Sequence, residues 1–310
     1  MPDGYVGKFH SEEGSAVYET LPDFLLDALS CERTTDICIN PDGTVFLYAY
    51  GHAGLIGNIQ PKQTMAFLRK AAASCRREFS DRTSILSATL PGFERLEAYG
   101  LAVSPDGICA TIRKPGPLWT LDDLVAMEAM TKQERVIISE FAGERSIVVS
   151  GQKGGCGKTT VVRAILEEPH VKPLRRFSIE TDLEVQKPSN GARLVAGEET
   201  FNDLFWSTLR VSAQLIIISE VRKPEHAFAF VEAVRTGHPA LSTVHARCPL
   251  TGARRIFEMG KFIGGIPAID VATSMELVVH MNRDEKRGRH VKSLATIREG
   301  DGRLIADTIN

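Results

Sequence analysis

The sequence predicts an α/β fold behind a smaller α+β domain, and three observations carry that prediction. Four short runs without charge, Ile147–Val149, Phe177–Ile179, Leu215–Ile218 and Leu241–Val244, are rich in Val, Ile and Leu and suit strands covered on both faces. A glycine-rich loop over 150–160, SGQKGGCGKTT, joins the first of these strands to the helix-forming run Val161–Leu166. Finally, Lys114-Pro115-Gly116-Pro117 breaks any regular element, and it divides the chain into residues 1–116 and 117–310.

Within 1–116, Tyr18–Leu29 has the apolar spacing of a helix. Asp36–Asn40 and Thr44–Tyr50 read as strands joined by the turn Pro41-Asp42-Gly43. Pro61 suits the first turn of a helix that runs to about Phe79. A second strand-and-turn region covers Ile85–Arg113, with Pro105-Asp106-Gly107 as its turn. In the second domain, Thr120 with Asp123 and Thr131 with Glu134 have the spacing of capping boxes and mark two helix starts. Strands and helices then alternate. The chain ends with antiparallel candidates at Glu276–His280, Val291–Arg298 and Arg303–Ile309.

At 310 residues the chain is longer than one typical domain, which agrees with the division at the Pro-rich break. With 43% hydrophobic and 25% charged residues it can bury an ordinary globular core. A net charge of −2 supplies no field to recruit nucleic acid or anionic lipid, and no basic patch interleaved with aromatics predicts direct nucleic-acid binding. No leader-like apolar segment and no membrane-spanning run occurs, and the six cysteines form no C-x-x-C pair, so the expected setting is cytoplasmic.

A strand, a glycine loop, Gly-Lys-Thr and a helix make the arrangement that binds a nucleoside triphosphate. Gly154, Gly155, Cys156 and Gly157 would turn backbone N–H groups onto phosphate oxygens, with the amides of Lys158, Thr159 and Thr160 at the helix start. Lys158 would reach the β- and γ-phosphates, and the Thr159 hydroxyl would hold Mg²⁺ beside ATP. A thiol adduct on Cys156 would block that loop wherever the thiol is accessible. The usual first glycine of the pattern is replaced by Gln152, and QKGGCGKTT matches the variant loop of ParA/MinD-type ATPases, with Lys153 at their signature position.

Hydrolysis also needs carboxylates. Leu215–Ile218 delivers Glu220 at its carboxyl end, a second ligand for Mg²⁺, and Ser178–Glu184 supplies another acidic cluster that ends in Glu184. The alternative for each acid is a solvated charge at a strand end. His238 and His245 flank a further apolar strand and have no cysteine or acid at zinc-ligand spacing. An imidazole there suits a hydrogen bond to a γ-phosphate or an attacking water, with a structural role as the alternative.

These segments, in this order, resemble the type II/type IV secretion traffic ATPases in their conjugal-transfer branch. RVSAQLIIISEVRKP (210–224) is similar to the family's Walker B stretch, TGHPALSTVHA (236–246) to its histidine box and SIETDLEV (178–185) to its aspartate box. ICINPDGTVFL (37–47) and IRKPGPLWTLDDLV (112–125) resemble its opening strands and its interdomain link, so the likeness covers nearly the whole chain. The resemblance implies a RecA-like P-loop ATPase domain after the α+β domain. It also implies a homohexamer on the cytoplasmic side of an inner-membrane secretion or conjugation apparatus, touching the membrane peripherally through its partners. By position, Glu184 corresponds to the acid that places the attacking water, Glu220 to the Walker B acid and His245 to the last histidine of its box. Arg113 corresponds to the arginine before the link and Arg222 to the arginine of Glu-Val-Arg; a guanidinium fork suits phosphate or carboxylate at both places.

The departures lie around the expected nucleotide. The loop is of ParA type, Glu180-Thr181 stands for Glu-Asp with Asp182 one place later, and Ser219 and Lys223 replace glycines. The histidine box is one residue short. An ATP-binding ring scaffold with little turnover is therefore one rival. A ParA-like positioning ATPase is another, although that family's loop lies near its N-terminus and it has no counterpart to TGHPALSTVHA.

Overall fold

The computed structural model describes residues 16–49, 52–75, 77–152, 155–181, 183–197 and 200–309. Two compact units, Met1–Pro117 and Leu118–Asn310, make up the chain.

In the first unit, strands β1 (Thr34–Ile39), β2 (Thr44–Ala49), β3 (His52–Asn58), β4 (Ile85–Thr89), β5 (Arg95–Tyr99) and β6 (Cys109–Arg113) form an antiparallel sheet in the order β3-β2-β1-β6-β5-β4. Helices α1 (Asp23–Ser30) and α2 (Pro61–Ser74) close its core, where Leu25, Leu29, Phe67 and Leu68 meet Ile37 and Ile112, all fully buried. The helix expected over Tyr18–Leu29 is interrupted. Tyr18–Thr20 is a 3₁₀ turn, and α1 starts only after Pro22, whose fixed φ and missing N–H prevent continuation through it. Helix α2 stops at Ser74, short of Phe79.

The second unit has helices α3 (Leu121–Ala126) and α4 (Lys132–Phe141), each opened by the expected capping box: Thr120 accepts from the Asp123 N–H, and Thr131 from the Glu134 N–H. Then follow β7 (Ile147–Gly151), α5 (Lys158–Leu166), β8 (Arg176–Glu180), β9 (Gly191–Val195), α6 (Phe201–Thr208), β10 (Leu215–Ile218), α7 (Pro224–Arg235), β11 (Ala240–His245), α8 (Pro249–Lys261), α9 (Ala268–Ser274), β12 (Leu277–Asp284), β13 (Gly288–Gly300) and β14 (Arg303–Ile309). The sheet order is β14-β13-β12-β7-β11-β10-β8-β9. It is parallel from β12 to β9, with the expected antiparallel strands at the other end.

Both faces of this sheet are covered, which explains why its inner strands carry only apolar and small hydroxyl side chains between their ends. Ile147 and Val149 point into a core with Leu121, Ile138 and Ile165, whereas Val148 points into another with Phe205, Phe230 and Ile256. Among the described residues, no helix is long and apolar enough to cross a membrane.

Candidate functional site

Parallel pairing brings the carboxyl ends of four neighbouring strands, β7, β11, β10 and β8, to one edge of the sheet. His245 pairs with Gly151, while Ile218 pairs with Ser242 on one side and Ile179 on the other. Crevices at such carboxyl ends receive the ligands of open α/β sheets.

The glycine loop leaves β7 and ends on Gly157, whose φ of +102° belongs to the left-handed region that disfavours a side chain. This residue is the N-cap of α5. No acidic side chain occupies the first turn of that helix, so its positive end and its first N–H groups stay available to an anion. Lys158 opens the helix and is buried. Gly154, together with Lys153 and Asp182, lies outside the described residues. Cys156 is only 1% exposed and its thiol packs against Gly151, so the condition for a blocking thiol adduct, an accessible thiol, is not met; Cys156 can face a ligand only through its backbone.

The side chains that converge here form two linked groups. Lys158 Nζ lies 3.5 Å from His245 Nε2, and the same nitrogen is 3.2 Å from Glu220 Oε1. An Nε2–H donates to that carboxylate, whereas a bare Nε2 accepts from Lys158. The other oxygen of Glu220 meets Arg222 at 2.7 Å. In the second group the Thr159 hydroxyl donates to Glu184 Oε2 at 2.8 Å, so the partner of Thr159 is Glu184 rather than Glu220. His238 precedes β11 at the opposite edge of the sheet and bonds the Thr236 hydroxyl. Arg113 belongs to the first unit, at the end of β6, where its Nε donates to Asp36 at 2.7 Å.

Several residues that fix this geometry were not among the sequence candidates. Glu180, fully buried at the end of β8, accepts from the Ser178 hydroxyl at 2.5 Å and from the backbone N–H groups of Glu184 and Val185 at 2.6 and 3.1 Å. It therefore folds the loop that delivers Glu184 to Thr159. Burial pushes its carboxyl pKa up, against the pull of these donors and of Arg193. His226, in the first turn of α7, bonds the Glu220 carbonyl through Nδ1 at 2.8 Å and stacks on Phe201. His280 on β12 bonds the Ser150 hydroxyl through Nδ1 at 2.9 Å. Burial holds both imidazoles below their ordinary pKa. Arg289 on β13 donates from Nε to the Gly155 carbonyl at 2.7 Å. The contacts of His280 and Arg289 leave no local sequence signal because the sheet brings Ser150 and Gly155 to them, whereas the partners of Glu180 and His226 lie within six residues and are chosen by which side chain is buried.

Beside the loop, a cavity of about 340 Å³ is lined by Trp119, Leu124, Met127, Thr160, Met281 and Arg287, among others. It offers an apolar wall next to the first turn of α5. The donors around Thr159 also fit Mg²⁺, a hard cation that takes oxygen ligands and keeps several waters and substrate phosphates in its shell. A hydroxyl and a carboxylate 2.8 Å apart at a helix start suit such a shared site. Among the described residues, no group of three or more His, Cys, Asp or Glu side chains forms a closed metal cage.

Residues 107–297 match the sequence model of a family described as "Type II/IV secretion system protein". The chain is 30% identical over 289 residues to the conjugal transfer protein TrbB of Rhizobium radiobacter, covering 90% of this chain and 88% of that protein. Among solved structures, it is similar to the pilus retraction motor PilT with bound ADP, with a TM-score of 0.66 and 15% identity over 93% of this chain and 82% of the other. It is also similar to the ATPase DotB of Legionella pneumophila, with a TM-score of 0.61 and 19% identity over 86% and 77%. At these identities the structures show the fold alone: a RecA-like P-loop domain preceded by a smaller α+β domain.

Proposed function

The chain belongs to the Type II/IV secretion system protein family, and on that premise we propose that it is an ATPase whose homohexameric ring powers conjugal transfer or type IV secretion. The observation that carries this reading is the convergence of Lys158, His245, Glu220, Thr159 and Glu184 where β7, β11, β10 and β8 end, around the start of α5. A lysine, a helix N-terminus and two carboxylates are what phosphoryl transfer from a triphosphate to water requires.

In this reading the backbone N–H groups from Gly155 to Thr160 cradle the phosphates, and Lys158 exchanges His245 for the β- and γ-phosphate oxygens. The cavity beside Trp119 takes the base and ribose of ATP. Thr159 would hold Mg²⁺ with Glu184, the carboxylate at its side, while Glu220 would reach the ion only on release from Arg222; when bound, the ion offsets negative charge on the phosphates. Glu184 orients the attacking water. His245, freed from Lys158, can hydrogen-bond the water or the γ-phosphate while Glu220 keeps its imidazole in place. Arg222, beside Glu220, is the arginine for charge that develops in transfer. The ring works in the cytoplasm, against the inner-membrane apparatus that it drives.

Phosphate release from Mg-ATP by the purified protein tests this assignment. Lys158→Ala is expected to lower turnover by at least about a hundredfold, the scale of losing a main electrostatic contact. Glu220→Gln is expected to retain ATP while releasing little phosphate. Undiminished release by Lys158→Ala would sink the assignment, and tight binding without release in the wild type would make the protein a nucleotide-held scaffold. A sedimenting species six times the mass of one chain checks the ring.

A further inference from the structure

The phosphate loop is held from outside by the hairpin of β12 and β13. Arg289 Nε donates to the Gly155 carbonyl at 2.7 Å. The methylenes of the same side chain lie over Gly157: a Cβ built there would stand 3.9 Å from Arg289 Cβ and 4.0 Å from its Cδ. Gly155 has a φ of +71° and no side chain, so the residue itself does little to decide which way its carbonyl faces. In a planar trans peptide the carbonyl and the following N–H point in opposite directions. Pinning the Gly155 oxygen on the hairpin therefore turns the Cys156 N–H away from the hairpin. The far side of that peptide is anchored separately, by the Cys156 thiol buried against Gly151.

We propose that Arg289 is a positioning residue that selects the anion-receiving orientation of the 155–156 peptide, so that the Cys156 N–H joins the first-turn N–H groups of α5 in facing a phosphate. This inference rests on the nucleotide-binding role given above to the loop. A rotated peptide would present a carbonyl dipole to the phosphate oxygens, replacing attraction with repulsion at the place where successive N–H groups make an anion nest. The arginine acts on the phosphates through its hydrogen bond to the loop; its side chain also lines the cavity beside the first turn of α5, so the variants below separate the hydrogen bond from the charge.

Two substitutions separate that hydrogen bond from the positive charge. Glutamine carries its Nε2 on the same side-chain carbon that bears arginine Nε, so Arg289→Gln keeps a donor at the same reach without the charge. Arg289→Met keeps the length and the packing over Gly157 but has no donor. Binding of Mg-ATPγS is measured by titration calorimetry for wild type and both variants, with Lys158→Ala alongside. The expected result is a loss of about tenfold for Arg289→Met, the scale of one hydrogen bond, and recovery to within about threefold of wild type for Arg289→Gln. If Arg289→Gln binds as weakly as Arg289→Met, the charge acts on the phosphates directly and the positioning role is overturned. If Arg289→Met binds like wild type, it is overturned as well. Loss of the nucleotide reading looks different, because the wild type would then bind no better than Lys158→Ala.

Discussion

Glu180 shows how much of this site depends on a residue that never faces it. Its carboxylate is buried with three donors, two of them the N–H groups of Glu184 and Val185, and Glu184 in turn holds Thr159. Truncating a buried acceptor orphans its donors, at a cost of about 1–3 kcal/mol. Glu180→Ala is therefore expected to lower turnover by about tenfold or more while Lys158 and Glu220 remain in place, and Glu180→Gln, which keeps one carbonyl oxygen, to lose less. Equal rates for Glu180→Ala and wild type in a phosphate-release assay would show that the loop does not need this acid. The sequence points to acids after the Phe177–Ile179 strand, but not to which acid folds the loop and which meets Thr159. That division of labour follows from burial: β8 lies between β10 and β9, and β9 itself leaves only the weak run Gly191–Val195, partly exposed and without alternation. His226 and Arg289 are illegible for the same reason, since their partners are backbone carbonyls chosen by packing.

Elements defined by local chemistry were the most legible. The capping boxes at Thr120 and Thr131 form as their spacing requires, with the Thr131 N–H also donating to the Glu134 carboxylate at 2.7 Å. Thr131→Ala is expected to cost about 1 kcal/mol, and to lower Tm by roughly 2–4 °C, as read by thermal unfolding. No change in Tm would mean that α4 is held by its packing and not by its start. The buried strands were legible because a sheet covered on both faces excludes long charged side chains from their middles and leaves apolar residues with a few small hydroxyls such as Ser178, Ser242 and Thr243. Strand β3 was not: it is an edge strand, exposed along most of its length, so HAGLIGN carries no alternation. The first helix was misread because periodicity continues across Pro22 while the backbone cannot.

At the scale of the molecule, stability draws on buried side chains of the second unit that also hold the candidate site in place. His226 and His280 are both held below the ordinary imidazole pKa of 6.5, chiefly by burial, so the folded protein keeps them neutral. Lys292 adds to the effect at His280; at His226 the bond to the Glu220 carbonyl opposes it. Stability from this source is present above about pH 6.5. It falls as the pH drops past that point, where the unfolded chain takes up protons first, and the fall ends once the buried rings are charged too. The wild type is therefore expected to lose more Tm between about pH 7.5 and pH 5.5 than a His226→Gln, His280→Gln double variant, which has no such imidazoles. Parallel pH profiles would mean that the rings do not titrate differently on unfolding.

In the proposed function the turn after β7 grips a triphosphate by its backbone and by Lys158. The most direct test of that grip is the binding of Mg-ATPγS to the wild type and to Lys158→Ala, followed by titration calorimetry. Saturable binding at one site per chain is expected in the wild type, with a loss of about a hundredfold or more in the variant. Equal affinity in the two proteins, or no binding by the wild type, would contradict it.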